Sequence, residues 1–239
     1  MNDKFQVSSE NGVAKIILNP SVIADELQGK LSSEDIKTGM GIINTLVHQD
    51  KVSHELYCQC AQVDCNIKTK TPFRSIPNGN KRAPIMFVNK MPTAYEMVRW
   101  SSLTDTAGTF LSLILSKMNV ERESVYCTDL IKCNDVSINE DSCKHCIESY
   151  LIQEIYLVQP KIIICNGIAT LKLWSKLGFI EGLPPELEYG ILYPVQIYGL
   201  QTKIIAIYDL DKVLQKTGDE YNACKTQVWG HLLTAFKAL

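Results

Sequence analysis

Four short apolar runs alternate with segments of helical periodicity along this chain. The runs are PIMFVN at 84–89, SVYCTDL at 124–130, KIIIC at 161–165 and KIIAIY at 203–208. They are rich in the β-branched and aromatic residues that suit strands covered on both faces. Between the first two, Phe110, Leu111, Ile114, Leu115 and Met118 recur three and four apart and place one apolar stripe on a helix over 106–118, with Thr104 or Thr106 as its N-cap. Further helices are expected over 141–158, over 169–177 with Gly178 as the stop, and over 221–239, where Trp229, Leu232, Leu233 and Phe236 fall at packing spacing. Alternation of this kind implies an α/β fold, with a central four-stranded parallel sheet flanked by helices. The stretch 182–201, with Pro184, Pro185 and Pro194, reads as a long connection.

Ahead of this region the pattern changes. FQVSS and VAKIIL flank Glu10, Asn11 and Gly12, a turn sequence, so residues 5–18 are expected to form a hairpin. Helices over 21–29 and 33–57 follow, the second capped by Ser32 or Ser33. The expected division is an N-terminal extension over 1–57 and a main domain over 58–239.

A chain of 239 residues can bury a substantial single core. No apolar run approaches the roughly 20 residues that a membrane span requires, and the polar start, residues 1–6, lacks the apolar core of an export signal. A cytoplasmic monomer is the expectation. The formal net charge of −2 gives no global sign of a nucleic-acid partner, so any DNA footprint must be local. The loop over 66–82 offers one: Lys68, Lys70, Arg74, Lys81 and Arg82 occur there without an acidic residue. Nine cysteines cannot all pair internally, and in a chain without an export signal they point to a metal or cluster site.

In an open parallel sheet, ligands bind outside the carboxyl ends of the strands. Those ends present Asn89 and Lys90, Asp129, Asn166, and Tyr208 with Asp209.

Three segments carry a family resemblance: Asn89-Lys90-Met91-Pro92-Thr93, then Ser102-Leu103-Thr104-Asp105-Thr106-Ala107-Gly108, then Thr128-Asp129-Leu130-Ile131-Lys132-Cys133. They resemble, in order and with no gap needed from Pro92 to Cys133, the GEAPG loop, the PFVGRAG turn and the TNVVKC strand end of the iron-sulfur (family 4) uracil-DNA glycosylases. The resemblance implies the three-layer fold of that superfamily, DNA as partner, and a 4Fe-4S cluster on four thiolates. By position these are Cys60, Cys65, Cys133 and Cys146, with Cys58 and Cys143 as alternatives. A structural zinc on the CxC and CKHC pairs is the competing reading.

The resemblance also implies where the chemistry belongs, and there the residues differ. Lys90 stands where the family has its carboxylate, Leu103 where an aromatic stacks on the base, Asp129 where an asparagine reads uracil, and Asp209 where a histidine steadies the departing base. An ionised aspartate only accepts hydrogen bonds, which suits the amino group of cytosine better than uracil. The expectation is a DNA glycosylase that flips out and excises a C5-modified cytosine, such as the glucosylated hydroxymethylcytosine of phage DNA, in antiphage defence. Asn89, Lys90 and Asp209 are the expected catalytic residues, with Lys90 either a Schiff-base amine or the ion-pair partner of Asp209. Asp129, Leu103, Asn166 and Tyr208 are expected to bind the base. The alternatives are a catalytically inactive DNA-binding or partner-binding module, and a conventional uracil-DNA glycosylase of base excision repair.

Overall fold

The computed structural model describes residues 5–10, 13–18, 75–99, 101–134 and 139–239. The chain divides into two compact units, residues 1–59 and 60–239. In the first, β1 (Phe5–Glu10) and β2 (Val13–Leu18) form the expected antiparallel hairpin, with Glu10 opposite Val13. The helices expected over 21–29 and 33–57 lie outside the described residues.

The second unit is built on a sheet of β3 (Ile85–Asn89), β4 (Tyr126–Asp129), β5 (Ile162–Asn166), β6 (Leu192–Ile197) and β7 (Leu200–Ile207), in the order β4-β3-β5-β7-β6. The four expected strands are all present and mutually parallel. A fifth, β6, pairs antiparallel with β7 inside the stretch read as a connection. Pro194 argued against a strand there, but β6 lies at the sheet edge, where a missing N–H leaves no central ladder bond broken. Its burial alternates, with Val195 and Ile197 turned inward.

Helix α1 (Ala94–Arg99) follows β3, and α2 (Thr106–Lys117) precedes β4. The cap of α2 is Asp105 rather than Thr104 or Thr106: its Oδ1 accepts from the N–H groups of Ala107 at 3.0 Å and Gly108 at 3.3 Å. A carboxylate satisfies two orphan amides at once and also complements the helix dipole. Helix α3 (Glu140–Cys146) runs through a π-helical turn (Ile147–Leu151) into α4 (Ile152–Val158), so the helix expected over 141–158 exists with a wider turn at its centre. Then come α5 (Ile168–Lys176), the short α6 (Leu210–Leu214) and α7 (Gly218–Lys237).

Alternation along the strands divides the core. Ile85, Phe87, Ile162, Ile164, Ile205 and Ile207 meet the α2 stripe and Val228, Leu232 and Ala235 of α7. The intervening residues Met86, Val88, Ile163, Cys165, Ile204 and Ala206 are buried too, so both faces of the sheet are covered.

Candidate active site

The carboxyl edge of the parallel strands gathers the polar residues expected of it. Asn166, at the end of β5, donates from Nδ2 to Asn89 Oδ1 at 3.1 Å, and its Oδ1 accepts from the Leu210 N–H at 2.9 Å. Asn89 Nδ2 in turn donates to the Met91 carbonyl at 2.9 Å. One chain of amides therefore ties the ends of β3, β5 and β7 together, with both asparagines buried. Asp209 closes the row. Its Oδ1 caps α6 through the N–H groups of Asp211 at 3.1 Å and Lys212 at 3.3 Å, and its Oδ2 lies 4.0 Å from Lys212 Nζ. The expected ion pair with Lys90 is not formed: Asp209 is committed to its own helix, and Lys90 is exposed.

Asp129, at the end of β4, has no exposed surface. Its Oδ2 accepts a short hydrogen bond from Ser102 Oγ. The Ser75 hydroxyl stands near it but outside hydrogen-bonding geometry, and both Ser75 Oγ and Asp129 Oδ1 are buried without a hydrogen-bond partner. Burial pushes the Asp129 carboxyl above the ordinary range, opposed by the charge of Lys132 and the Ser102 hydrogen bond. Leu103 is also buried, and its φ of +50° places a branched side chain in the left-handed region. That conformation costs on the order of 1–2 kcal/mol. It persists because both neighbours are held: the Ser102 N–H donates to the Ile76 carbonyl at 3.0 Å and the Thr104 N–H to Glu96 Oε1 at 2.9 Å. Gly108 abuts this turn so closely that a Cβ there would lie 1.9 Å from the Leu103 carbonyl oxygen.

Glu96 is a residue that the sequence reading passed over. It is buried, and its Oε2 accepts from the Thr93 N–H at 2.8 Å while Oε1 holds Thr104, so one carboxylate fastens the loop after β3 to the turn before α2. Burial raises its pKa to about 7, with Asp129 and Asp105 adding to the shift and the amide hydrogen bonds opposing it. A carboxylate three residues beyond Thr93, the position at which a side chain can reach back to the start of a helix, was the available signal.

The cysteine positions are partly in view. Cys133, Cys143 and Cys146 are buried, and Cys146 Sγ accepts from the Lys132 N–H at 3.2 Å, which brings it beside the residue preceding Cys133. Behind them Lys132 Nζ forms a buried ion pair with Glu154 Oε1 at 2.6 Å and also donates to Thr128 Oγ1 and the Asp129 carbonyl. Cys58, Cys60 and Cys65 lie outside the described residues, and among the described residues no group of three or more ligating side chains is assembled. The Cys146 sulfur, which accepts from the backbone N–H next to Cys133, would fit one edge of a cluster.

Of the basic loop, Lys68, Lys70 and Arg74 lie outside the described residues. The strand-like stretch 75–79 returns along β4, from the Ser75 N–H on the Lys132 carbonyl at 2.8 Å to the Asn78 N–H on the Cys127 carbonyl at 2.9 Å. Lys81 and Arg82 therefore sit in the turn entering β3, at the amino edge of the sheet and away from Asp129 and Asp209. Among the described residues, Lys90 just beyond β3 and Lys212 on α6 are exposed cations at the carboxyl edge; Arg99, at the end of α1, is exposed too, its guanidinium 4.7 Å from the Tyr95 ring centre. A concavity of about 780 Å³ lined by Lys161, Gln201 and Lys203 also lies at the amino edge.

The profile of the uracil DNA glycosylase superfamily matches residues 76–233. The chain belongs to that superfamily. This glycosylase is 30% identical over 161 residues to the type-4 uracil-DNA glycosylase of Archaeoglobus fulgidus, covering 66% of the chain and 79% of that protein. Against its counterpart in Pyrobaculum aerophilum it is 28% identical over 167 residues, covering 68% of the chain and 83% of that protein. The type-4 enzyme of Saccharolobus solfataricus matches at 29% over 135 residues. The protein is thus a DNA glycosylase, a hydrolase acting on DNA, and the carboxyl edge is where its fold places ligands. Among the described residues no helix is long and apolar enough to cross a membrane.

Proposed function

We propose that this glycosylase extrudes a base from the duplex and excises a C5-modified cytosine, reading it through Asp129. The observation that carries this is the state of that carboxylate: one oxygen is held by Ser102, and the other is buried with only the Ser75 hydroxyl near it, outside hydrogen-bonding geometry. An ionised carboxylate oxygen in that state seeks a donor, and cytosine's amino group is one where uracil offers a carbonyl. Leu103, tucked into the core, leaves the position of the family's stacking aromatic without a ring, which leaves room beside C5. Asp209 directly precedes Leu210, whose N–H the Asn166 amide holds, and supports cleavage of the glycosidic bond, with Lys90, Arg99 and Lys212 as the cations for the phosphates. Reaching Asp129 requires the turn at Leu103 to shift, and extrusion itself costs a few kcal/mol. Glucosylated hydroxymethylcytosine of phage DNA fits these demands, with antiphage defence as the role.

A second reading is favoured by one observation. Burial raises the Asp129 pKa, and a protonated carboxyl offers one donor and one acceptor, as the asparagine of the family does. In that state the same site reads uracil, the base in the names of the type-4 relatives.

A cluster of the 4Fe-4S type, held by Cys60, Cys65, Cys133 and Cys146, goes with both readings. Its part would be to fasten the segment before Ser75 to the end of β4. Purified anaerobically, the protein should be brown with comparable iron and sulfide. Zinc without sulfide would remove the cluster, and an intact cluster in Cys133→Ser would remove the ligand assignment.

The deciding experiment offers duplexes containing cytosine, uracil or glucosylated hydroxymethylcytosine, cleaves abasic sites with alkali, and repeats the series from pH 5.5 to 8.5. The first reading expects release of the modified cytosine alone, rising with pH as Asp129 ionises, and loss of release in Asp209→Ala. Uracil release that grows as pH falls supports the second. No release of any base at any pH would leave a non-catalytic DNA-binding module.

A further inference from the structure

Beside Asp209 the expected base-binding residue Tyr208 joins an aromatic cluster with Tyr189 and His231, which the sequence does not single out. Tyr208, which follows β7, has its ring centre 4.4 Å from that of Tyr189 and 5.4 Å from that of His231 on α7. Tyr189 and His231 are parallel within 4°, with centres 6.4 Å apart. Three rings from three separate parts of the chain therefore form one wall at the carboxyl end of β7.

The wall is held in place by the backbone. Tyr189 bridges Ala206, the Gly190 N–H donates to the Ala206 carbonyl at 2.8 Å, and the Glu188 N–H donates to Tyr193 Oη at 2.9 Å. Gly190 has φ +78°, and a Cβ there would lie 2.4 Å from His231 Cδ2. The imidazole thus occupies the space a side chain at 190 would need. Its Nδ1 is buried and has no hydrogen-bond partner. Burial also keeps the ring below the ordinary imidazole range, so it is neutral at pH 7 and presents a π-face without charge. Tyr189 is 36% exposed, and the next-but-one residue Ile191 is 46% exposed, so the wall is partly open to solvent. The raised pKa of the Tyr189 phenol has burial as its largest cause, with the charge of Asp209 among the smaller ones.

We infer that Tyr189 and Tyr208, backed by His231 in the recess left by Gly190, are the stacking surface for the extruded base, in place of the aromatic that Leu103 replaces. The inference rests on the proposed base-extruding glycosylase. A buried Leu103 cannot face a base, whereas half-open rings next to Asp209 can, and base-aromatic stacking tolerates any base because each has a π-face. A glycosylase whose base-reading group has changed would then keep its grip through a wall that does not depend on base identity.

The test uses the full-length, cluster-loaded protein and three duplexes, each with 2-aminopurine beside a target cytosine, uracil or glucosylated hydroxymethylcytosine. Wild type should raise 2-aminopurine fluorescence on the duplex it cleaves. Tyr189→Leu should lower kcat/KM on that duplex on the order of tenfold to a hundredfold. It should also cut the fluorescence rise, with binding to unmodified duplex unchanged. Tyr189→Phe, which keeps the ring, should restore both. Gly190→Ala, which removes no ring but displaces His231, should act in the direction of Tyr189→Leu. If Tyr189→Leu does not fold, Tyr208→Leu is read in its place. Leu variants as active as wild type would overturn the stacking surface, as would Phe and Leu failing alike, which marks a structural role. A wild type that neither unstacks nor releases any of the three bases would overturn base extrusion itself, and is distinguished from the other failures by being seen before any variant is made.

Discussion

The two halves of the carboxyl edge solve opposite problems. At the β3–β4 half, Asp129, Lys132, Glu154 and Glu96 are all buried, and each is met by another charge, a hydroxyl or an amide, save for the one Asp129 oxygen left without a hydrogen bond. At the β5–β7 half, the polar groups are neutral amides and a half-exposed Asp209, bordered by rings that touch without hydrogen bonds. A buried charge without its partner is costly, so the first half has one workable arrangement. Aromatic contacts are worth less individually and survive shifts of a few tenths of an ångström. On the proposed reading, identity of the base is set at the half with buried charges and its reception at the open one.

The largest effect should come from breaking the rigid half. Lys132→Leu strands Glu154 as a buried charge and should cost about 3–5 kcal/mol in urea unfolding, whereas Lys132→Leu combined with Glu154→Leu should recover most of the loss. Equal losses in the single and double variants would make the two halves alike.

A smaller effect, graded with pH, sharpens the same contrast. Glu96 binds its proton more tightly in the folded protein, with a pKa of about 7 against the ordinary 4.5. Its share of stability is therefore full below about pH 4.5 and is lost as pH rises through 7. The raised carboxyl of Asp129 acts in the same direction. Stability should fall between pH 5 and 7.5, and Glu96→Gln should flatten that slope. A slope unchanged in the variant would locate the titration elsewhere.

The smallest effect lies away from both halves. Asp105→Ala removes the cap of α2 and should cost about 1 kcal/mol, seen as a few degrees of Tm with no change in base preference.

Much of this architecture was legible because burial imposes periodicity. The parallel strands are continuous apolar runs, and the α2 stripe places Phe110, Leu111, Ile114 and Leu115 in the core as its spacing predicts. Strand β6 was hidden because Pro194 is forbidden in a central strand and allowed at an edge, and edge position is a property of the whole sheet. The site was legible as far as chain order follows strand ends: Asn89, Asn166 and Asp209 gather as expected. Tyr189 and His231 were not, since they reach the site from an irregular segment and from a helix whose apolar pattern marks only its core face. The position of Lys81 and Arg82 at the amino edge was not legible, because a run of cations does not reveal that the chain reverses along β4 between them and Ser75.

The π-helical turn between α3 and α4 sets a phase relation. In a regular α-helix two residues eight apart differ by about 80° around the axis, while residues seven apart lie within about 20° of one another. Cys146 and Glu154 are eight apart, and the wide turn (Ile147–Leu151) between them absorbs one residue, so they behave as the closer pair. Both then meet the same residue: Cys146 Sγ takes the Lys132 N–H, and Glu154 takes its Nζ. Closing the wide turn into regular α-helix with every residue kept would rotate Glu154 by about 80° from the lysine, whereas deleting a single residue from 147–151 would give a regular helix that leaves it on the same face. The extra residue and the wide turn are consequently one feature: a homologue with one residue fewer here can pair Lys132 through an unbroken α-helix, and one with the residue but without the turn would have to neutralise Lys132 by some other side chain.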